Sequence, residues 1–471
     1  MAKFDKSIFI FRRELRLNDN TSLLNALSNS KTVIPIFILT PEQLIKNNYK
    51  SDNCVQFMME SISDLNTELK KKNSRLFLFF GKPDEVVEKI IKKTKAEAIY
   101  LHKDYTPYSK KRDEKIQKIC ENNDVSFEMC EDYTLHDVGT IRTGDGNVYV
   151  KFTPFYNNIK KLSVPKPKQN KYSNYYSSRN TIVGEFKGKL SKFYKENDQI
   201  AVHGGRYNGL KILKNINSHK QYNVNRNFLS KPTTRLSAYI KFGCVSIREV
   251  YDVFKKKLGP RNDLLKQLYW REFYYNVAEF YPDTLLKDYD GKNLKEKYSK
   301  VPWATYKTFN KKEKEYWNAW IDGDTGIPIV DACMREMNTT GFMHNRGRMI
   351  VASLLVKNMF IHFAEGEKYF AQTLCDYDPM NNIGGWGWIS GSHADTQPYF
   401  RIFNPWRQSE KYDPDCTYIK KWIPELKDVD NKHIHQWYKW WEKYDVDYSE
   451  PIIDYKSSSQ EALKKYKKAF R

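Results

Sequence analysis

Hydrophobic and polar positions follow two rhythms along this chain, and the change comes near residue 130. Before it, Ser7–Phe11, Val33–Ile38, Arg75–Phe80, Ala98–Leu101 and Val125–Phe127 are short, nearly unbroken apolar runs rich in β-branched and aromatic side chains. That is the pattern of strands buried on both faces of a parallel sheet. Between them, Val55–Lys70 and Pro83–Lys95 carry apolar residues at helical spacing. The alternation predicts a doubly wound α/β domain over 1–130. No Gly-x-Gly-x-x-Gly follows the first strand, so the usual dinucleotide fingerprint is absent. Residues 131–199 lose both rhythms to Gly, Pro, Lys, Tyr, Ser and Asn, and they read as a long interdomain connection. From 200 to 471 helical spacing dominates, in His203–Ile216, Ile247–Lys257, Asn262–Glu279, Ile329–Met337, Arg346–Phe363 and Glu367–Thr373. The predicted fold is therefore α/β plus all-α.

Composition narrows the class. With 471 residues, 40% of them hydrophobic, the chain can bury two or three cores. No apolar run approaches the roughly 18–20 residues that span a bilayer, and the first residues lack a signal-peptide layout. The seven cysteines are dispersed with no Cys-x-x-Cys pair, which points to reduced thiols and no metal site. These features predict an intracellular soluble protein. The net charge of +22 suits a polyanionic partner, because neutralising phosphates releases counterions. A lysine-rich surface without such a partner has the same arithmetic, and charge alone leaves both readings open.

Candidate chemistry is densest in Asp376–Trp388, where two carboxylates, two amides, three glycines and two tryptophans fall within thirteen residues. Carboxylates and amides position a polar heterocycle, glycines let the backbone approach it, and indoles stack or donate electrons. Asn345 and Met349 are four apart and share a helix face. Arg348, one turn away, needs a carboxylate if buried, and Asp376 and Asp378 are both candidates. The hydroxyls of Thr233, Thr234 and Ser237 cap a helix or bind a phosphate. Gln267 and Trp270 share another face, where Trp270 is either core or a stacking platform for a base. No metal spacing, phosphate loop or nucleophile triad is present. The residues point to a flavin- or nucleotide-sized aromatic ligand with a second aromatic partner beside it.

Taken in order, Arg12–Asn20, Thr234–Ser237, Trp270–Phe273, Thr325–Asp331, Gly341–Arg346, Asn381–Trp386 and Pro398–Pro405 closely resemble the photolyase/cryptochrome family. Within it they are most similar to class I cyclobutane pyrimidine dimer (deoxyribodipyrimidine) photolyases. The resemblance spans essentially the whole chain. It implies an N-terminal antenna domain, a long linker and a helical FAD-binding catalytic domain. It further implies a carbon–carbon lyase that repairs UV-damaged DNA, in which light drives an electron from reduced FAD into a flipped-out dimer. By resemblance, Tyr222, Thr233, Thr234, Arg235, Leu236 and Ser237 would hold the FAD phosphates. Arg348 and Asp376 would pair beside the isoalloxazine, with Gln267, Arg271, Tyr377 and Asp378 also at the cofactor. Asn382 would face flavin N5 and Trp386 would feed the flavin electrons. Gln267, Asn345, Met349, Trp270 and Trp388 match the lesion pocket, and Arg226, Arg346, Arg401 and Gln408 match contacts to the DNA strand.

The chain departs from the family pattern at three places. Gln267 replaces the glutamate usual in class I and is typical of (6-4) photolyases, yet Asn345 and Met349 stand where those enzymes carry a histidine pair. The dimer is therefore the expected lesion, with a (6-4) photolyase and a cryptochrome-type photoreceptor as alternatives. The chain stops without the tail cryptochromes often add. Phe363 occupies the middle position of the family's tryptophan relay and the outer one aligns near Asn310, so either Tyr316, Trp317 or Trp320 would offer another route or reduction would depend on cellular reductants. Residues Asp104–Asp113 lack the Asn-Glu pair of methenyltetrahydrofolate binders and resemble relatives with a deazaflavin, a flavin or an empty pocket, unless they are simply a basic surface loop. A second antenna chromophore, where bound, would be of deazaflavin or flavin type. A monomer with no obligate protein partner is expected.

Overall fold

The computed structural model describes residues 2–285 and 295–471. The chain packs as two compact units, one of Met1–Asn197, Val202–Lys220 and Arg235–Pro282, the other of Asp198–Ala201, Gln221–Thr234 and Asp283–Arg471. The division by packing thus falls elsewhere than the change of pattern near residue 200.

The first unit is built on a five-stranded parallel sheet: β1 (Phe4–Phe11), β2 (Ser30–Leu39), β3 (Phe77–Phe80), β4 (Ala98–His102) and β5 (Ser126–Cys130), in the order β3-β2-β1-β4-β5. Each expected apolar run lies in a strand or overlaps one, with Arg75, Leu76 and Val125 just ahead of theirs. Ile8 of β1 sits opposite Ile34 of β2 and Ile99 of β4, and all three side chains are fully buried. Burial on both faces explains the unbroken apolar runs. The strand order reverses direction between β1 and β4, the switch point of such sheets.

The segment after β1 explains the Arg12–Asn20 motif as a fastening. Arg12 makes a bidentate pair with Asp113, at 2.6 and 2.8 Å. Arg248 bridges Asp19 at 2.9 Å and Asp132 at 2.6 Å, and Arg16 also binds Asp132. These guanidinium charges hold the Asp132 carboxyl far below the usual carboxylate range, against burial, which pushes it up.

Residues 131–199 are more ordered than their composition suggested. They contain the helix Phe152–Ile159, whose Phe152, Phe155 and Ile159 are buried, and it packs on the helix Asp263–Phe280. Further on, Tyr175 pairs with Val33 of β2, and Phe186 donates its N–H to Leu78 of β3 at 2.7 Å. The connection extends the sheet at the edge that short β3 leaves bare.

The second unit is helical, with Lys311–Asp322, Pro328–Thr340, Asn345–Ser353, Phe363–Thr373, Pro379–Ser390 and Tyr455–Ala469 around one apolar core. The expected single helix over Arg346–Phe363 is two. After Ser353 the backbone widens into a π turn over Leu354–Asn358. Phe360 then takes φ +58°, and His362 caps the next helix by accepting the Ala364 N–H at 3.2 Å. Residues on both sides of the break are buried, so apolar spacing runs through it without a signal. Among the described residues, no helix is long and apolar enough to cross a membrane.

Candidate functional site

Two turns deliver the second unit's site. Gly341 ends the helix Pro328–Thr340 in the left-handed region, at φ +67°. His344 then caps Asn345–Ser353 by accepting the Arg346 N–H on Nδ1 at 3.1 Å. The new helix presents Asn345 and Met349 together, with Nδ2 and Sδ 4.0 Å apart. Arg348 selects Asp376 of its two candidate partners: Nη2 lies 3.0 Å from both carboxylate oxygens, and Nε donates to the Met343 carbonyl at 2.9 Å. The Asp376 side chain is buried and that of Arg348 partly exposed, so the pair is fixed at its base and reachable at its tip.

Asp378 has a structural task as well. It caps the helix Pro379–Ser390, accepting from Asn381 N at 3.2 Å and Asn381 Nδ2 at 2.9 Å. One turn on, Asn382 Nδ2 donates to the Glu367 carbonyl at 3.0 Å and to Glu367 Oε1 at 2.9 Å. Tyr377 donates its hydroxyl to the same Oε1 at 3.3 Å. Glu367 was not foreseen. In the sequence it sits in Glu365-Gly-Glu-Lys368 and reads as a solvated helix face. Folded, it is buried, and burial pushes its carboxyl up to about 7 despite the two donors.

The glycines have separate uses. A Cβ on Gly366 would lie 2.2 Å from the Trp386 indole, so glycine is what lets the two helices close over Trp386. At Gly385 a Cβ would meet nothing within 4 Å. Trp386 is buried in the core, whereas Trp388, two residues on, packs at the margin of the same core and is only partly buried.

This donor set suits a flavin. Both amide hydrogens of Asn382 are taken by Glu367, and its carbonyl Oδ1 accepts no hydrogen bond among the described residues. An oriented, half-buried amide acceptor, linked through Glu367 to Tyr377 next to Asp376 in the chain, fits a planar heterocycle with a ring N–H.

The expected DNA contacts of this unit also come together. The Arg346 guanidinium stacks 4.3 Å from the Tyr412 ring, and Nη2 donates to Asn227 Oδ1 at 2.5 Å. Burial, and after it the charges of Arg226 and Arg401, push its pKa below the usual arginine value. Arg226 lies over Tyr222, and exposed Arg401 donates to Gln397. None of the three arginines has a carboxylate partner among the described residues. Buried Gln408 Oε1 and Arg346 Nε also lack partners among the described residues.

The other expected residues fall where the chain passes from one unit to the other, or in the first unit. Tyr222, Thr233 and Thr234 belong to the second unit, and Arg235, Leu236 and Ser237 to the first. Arg235 takes φ +52°, and Ser237 opens a helix of only five residues. So short a helix has little macrodipole, which leaves anion binding to first-turn N–H groups and hydroxyls. Among the described residues, Gln267 makes only a marginal 3.5 Å bond to the Asp263 carbonyl. One indole face of Trp270 is covered by Phe152, parallel at 3.6 Å. Arg271 donates to the Tyr133 carbonyl and, at 3.2 Å, to Tyr275.

Comparison with known proteins places the chain in a family. Residues 7–171 match the DNA photolyase family model, and 264–468 match the FAD binding domain of DNA photolyase. A deoxyribodipyrimidine photo-lyase of Buchnera aphidicola is 33% identical, over 98% of this chain and 97% of its own. The chain belongs to the DNA photolyase family. The enzyme class, a lyase of DNA repair, and the FAD cofactor expected from the sequence follow with the family. Among solved structures, an archaeal photolyase from Sulfolobus tokodaii, described with two FAD molecules, superposes at a TM-score of 0.86. It is 38% identical and covers 98% of this chain and all of its own. A Synechocystis cryptochrome reaches 0.87 at 28% identity, over 98% of this photolyase-family chain and 100% of its own.

Proposed function

We propose that this protein splits cyclobutane pyrimidine dimers in UV-damaged DNA under light. The Asn345–Met349 pair carries the choice of lesion. An amide and a thioether have no proton to give near neutral pH. That helix face can hold a pyrimidine pair by hydrogen bond and apolar contact, and it cannot run the acid–base chemistry a (6-4) product requires. When bound, reduced FAD supplies on illumination the single electron that opens the cyclobutane ring and is recovered afterwards.

The chain's own residues bind, orient and exclude water. Tyr222 and Thr233 to Ser237 would hold the cofactor's phosphates, Arg348 with Asp376 its ring edge, and Asp378 its adenosine side. Asn382, locked by Glu367, would offer Oδ1 to the flavin N5–H and so hold that proton in place. Arg271, Tyr377 and Gln267 complete the assignment to the cofactor, with Gln267, Trp270 and Trp388 given to the lesion. Arg226, Arg346, Arg401 and Gln408 would take the strand's phosphates, which positions DNA without reading its sequence. A second chromophore of flavin or deazaflavin type is supported by the Sulfolobus tokodaii photolyase with its two FAD molecules.

The reading is tested with the reduced protein and oligonucleotides carrying either lesion, in blue light and in darkness. Restoration of the cyclobutane dimer alone, and only in light, is expected. Repair of the (6-4) product would move the assignment to that class. Absence of all repair by fully reduced protein would favour a cryptochrome-type photoreceptor, the Synechocystis neighbour being a cryptochrome.

A further inference from the structure

Trp386 needs an electron source, and the family's middle position is held by Phe363, whose ring is far harder to oxidise than an indole. The second unit places another indole beside it. Trp320, from the helix Lys311–Asp322, lies 6.2 Å from Trp386 between ring centroids, edge to face. Trp317 lies 5.7 Å from Trp320, nearly stacked. Exposure rises outward from Trp320, fully buried, to Trp317 at 8%. Tyr369 flanks both, 5.8 Å from Trp320 and 6.1 Å from Trp317, with its hydroxyl bonded to Asn338 Oδ1 at 2.9 Å.

We infer that Trp386, Trp320 and Trp317 form the electron relay that reduces the flavin in this protein, in place of the route interrupted at Phe363. The inference rests on the proposed seat of FAD beside Trp386.

The chemistry of each member fits its place. Electronic coupling falls steeply with separation, and both steps join aromatic rings in near contact. The Trp320 indole N–H donates to the Val351 carbonyl at 3.0 Å. That carbonyl dipole stabilises positive charge on the ring, and burial denies its proton a path to water. Trp320 can therefore pass a hole on without losing its proton. The Trp317 indole N–H has no acceptor among the described residues, and its ring is the most exposed of the three. One electron moves at each step: Trp386 is oxidised by the excited flavin and refilled by Trp320, which is refilled by Trp317. Oxidised Trp317 releases its indole proton to solvent. A soluble thiol returns an electron and a proton to Trp317, and two thiols oxidised in this way, one electron each, end as a disulfide.

The test follows flavin absorbance under blue light with dithiothreitol, and the tryptophan radical after a laser flash, in wild type, Trp320→Phe, Trp317→Phe and Trp303→Phe. Trp320→Phe and Trp317→Phe should each slow flavin reduction by ~10-fold or more and lose the long-lived radical. Trp303→Phe, in contact with Phe363, should change neither. Repair by protein reduced beforehand with dithionite should persist in all four. Near-ultraviolet circular dichroism of the flavin-free proteins checks that each variant folds, and should show loss of the Trp317–Trp320 stacking signal in both. Wild-type rates in Trp320→Phe and Trp317→Phe, with flavin bound and repair intact, would overturn the relay. Absence of flavin binding in wild type would instead overturn the proposed function beneath it.

Discussion

At the scale of single residues, Glu367 is the most informative side chain of the site. Its carboxyl is pushed up to about 7 by burial, so between the ordinary glutamate value and about 7 the folded protein holds a proton that the unfolded chain has released. Stability contributed by this group is complete below the ordinary glutamate value and declines as pH rises towards about 7, because the unfolded state binds fewer protons in that window. The interval from 4.5 to about 7 corresponds to about 3 kcal/mol. Glu367→Gln keeps an acceptor for Asn382 Nδ2 and cannot titrate. Urea midpoints taken between about pH 5 and 7 should therefore fall less with pH in the variant than in wild type. Parallel curves would mean that Glu367 is ionised throughout. The proton also bears on Asn382: an uncharged Glu367 leaves the amide oriented without placing a fixed negative charge near the proposed flavin.

At the scale of elements, legibility tracked how local each cause was. The five strands were readable because burial on both faces writes itself into every residue of a run. The Arg348–Asp376 pair was readable in part, since a buried guanidinium demands a carboxylate, yet only folding chose Asp376 and left Asp378 as a cap. The break after Ser353 was not readable: no proline or glycine marks it, and Lys357 inside the π turn is buried with Nζ bonded to the Ser390 carbonyl and the Tyr466 hydroxyl. The helix Phe152–Ile159 did leave a signal in its apolar 152, 155 and 159, hidden by polar neighbours. Trp317 and Trp320 were visible as candidates, but their approach to Trp386 depends on helices far apart in sequence. One such approach is decided by a missing methyl group. In Gly366→Ala the new Cβ would meet the Trp386 ring at 2.2 Å and Leu355 at 2.7 Å. Alanine's better helix propensity offsets about 1 kcal/mol, against an overpacking cost of about 1–3 kcal/mol. The variant should unfold at lower temperature and shift Trp386 fluorescence. An unchanged melting temperature and spectrum would show that the two helices separate freely.

At the scale of the whole molecule, the net charge of +22 became interpretable only once particular cations were located. Scattered lysines raise solubility and weak attraction to any polyanion, and most lie on open surface where salt screens them. Arg226, Arg346 and Arg401 differ: their charges are close enough to depress Arg346, and no carboxylate among the described residues relieves them. Folding has tolerated that repulsion, as expected where a phosphate backbone supplies the counter-charge on binding. The consequence is measurable without light. Removing one phosphate-binding cation should make the plot of log K against log salt shallower by ~0.9 for duplex DNA. Arg346→Gln with Arg401→Gln should therefore reduce the slope by ~2 and weaken damaged and undamaged duplexes alike. Two surface lysines, Lys72 and Lys93, changed together to glutamine should leave the slope nearly unchanged, although they remove the same net charge. Equal slopes for the two double variants would mean that DNA responds to total charge, and that the arginine cluster is not its seat.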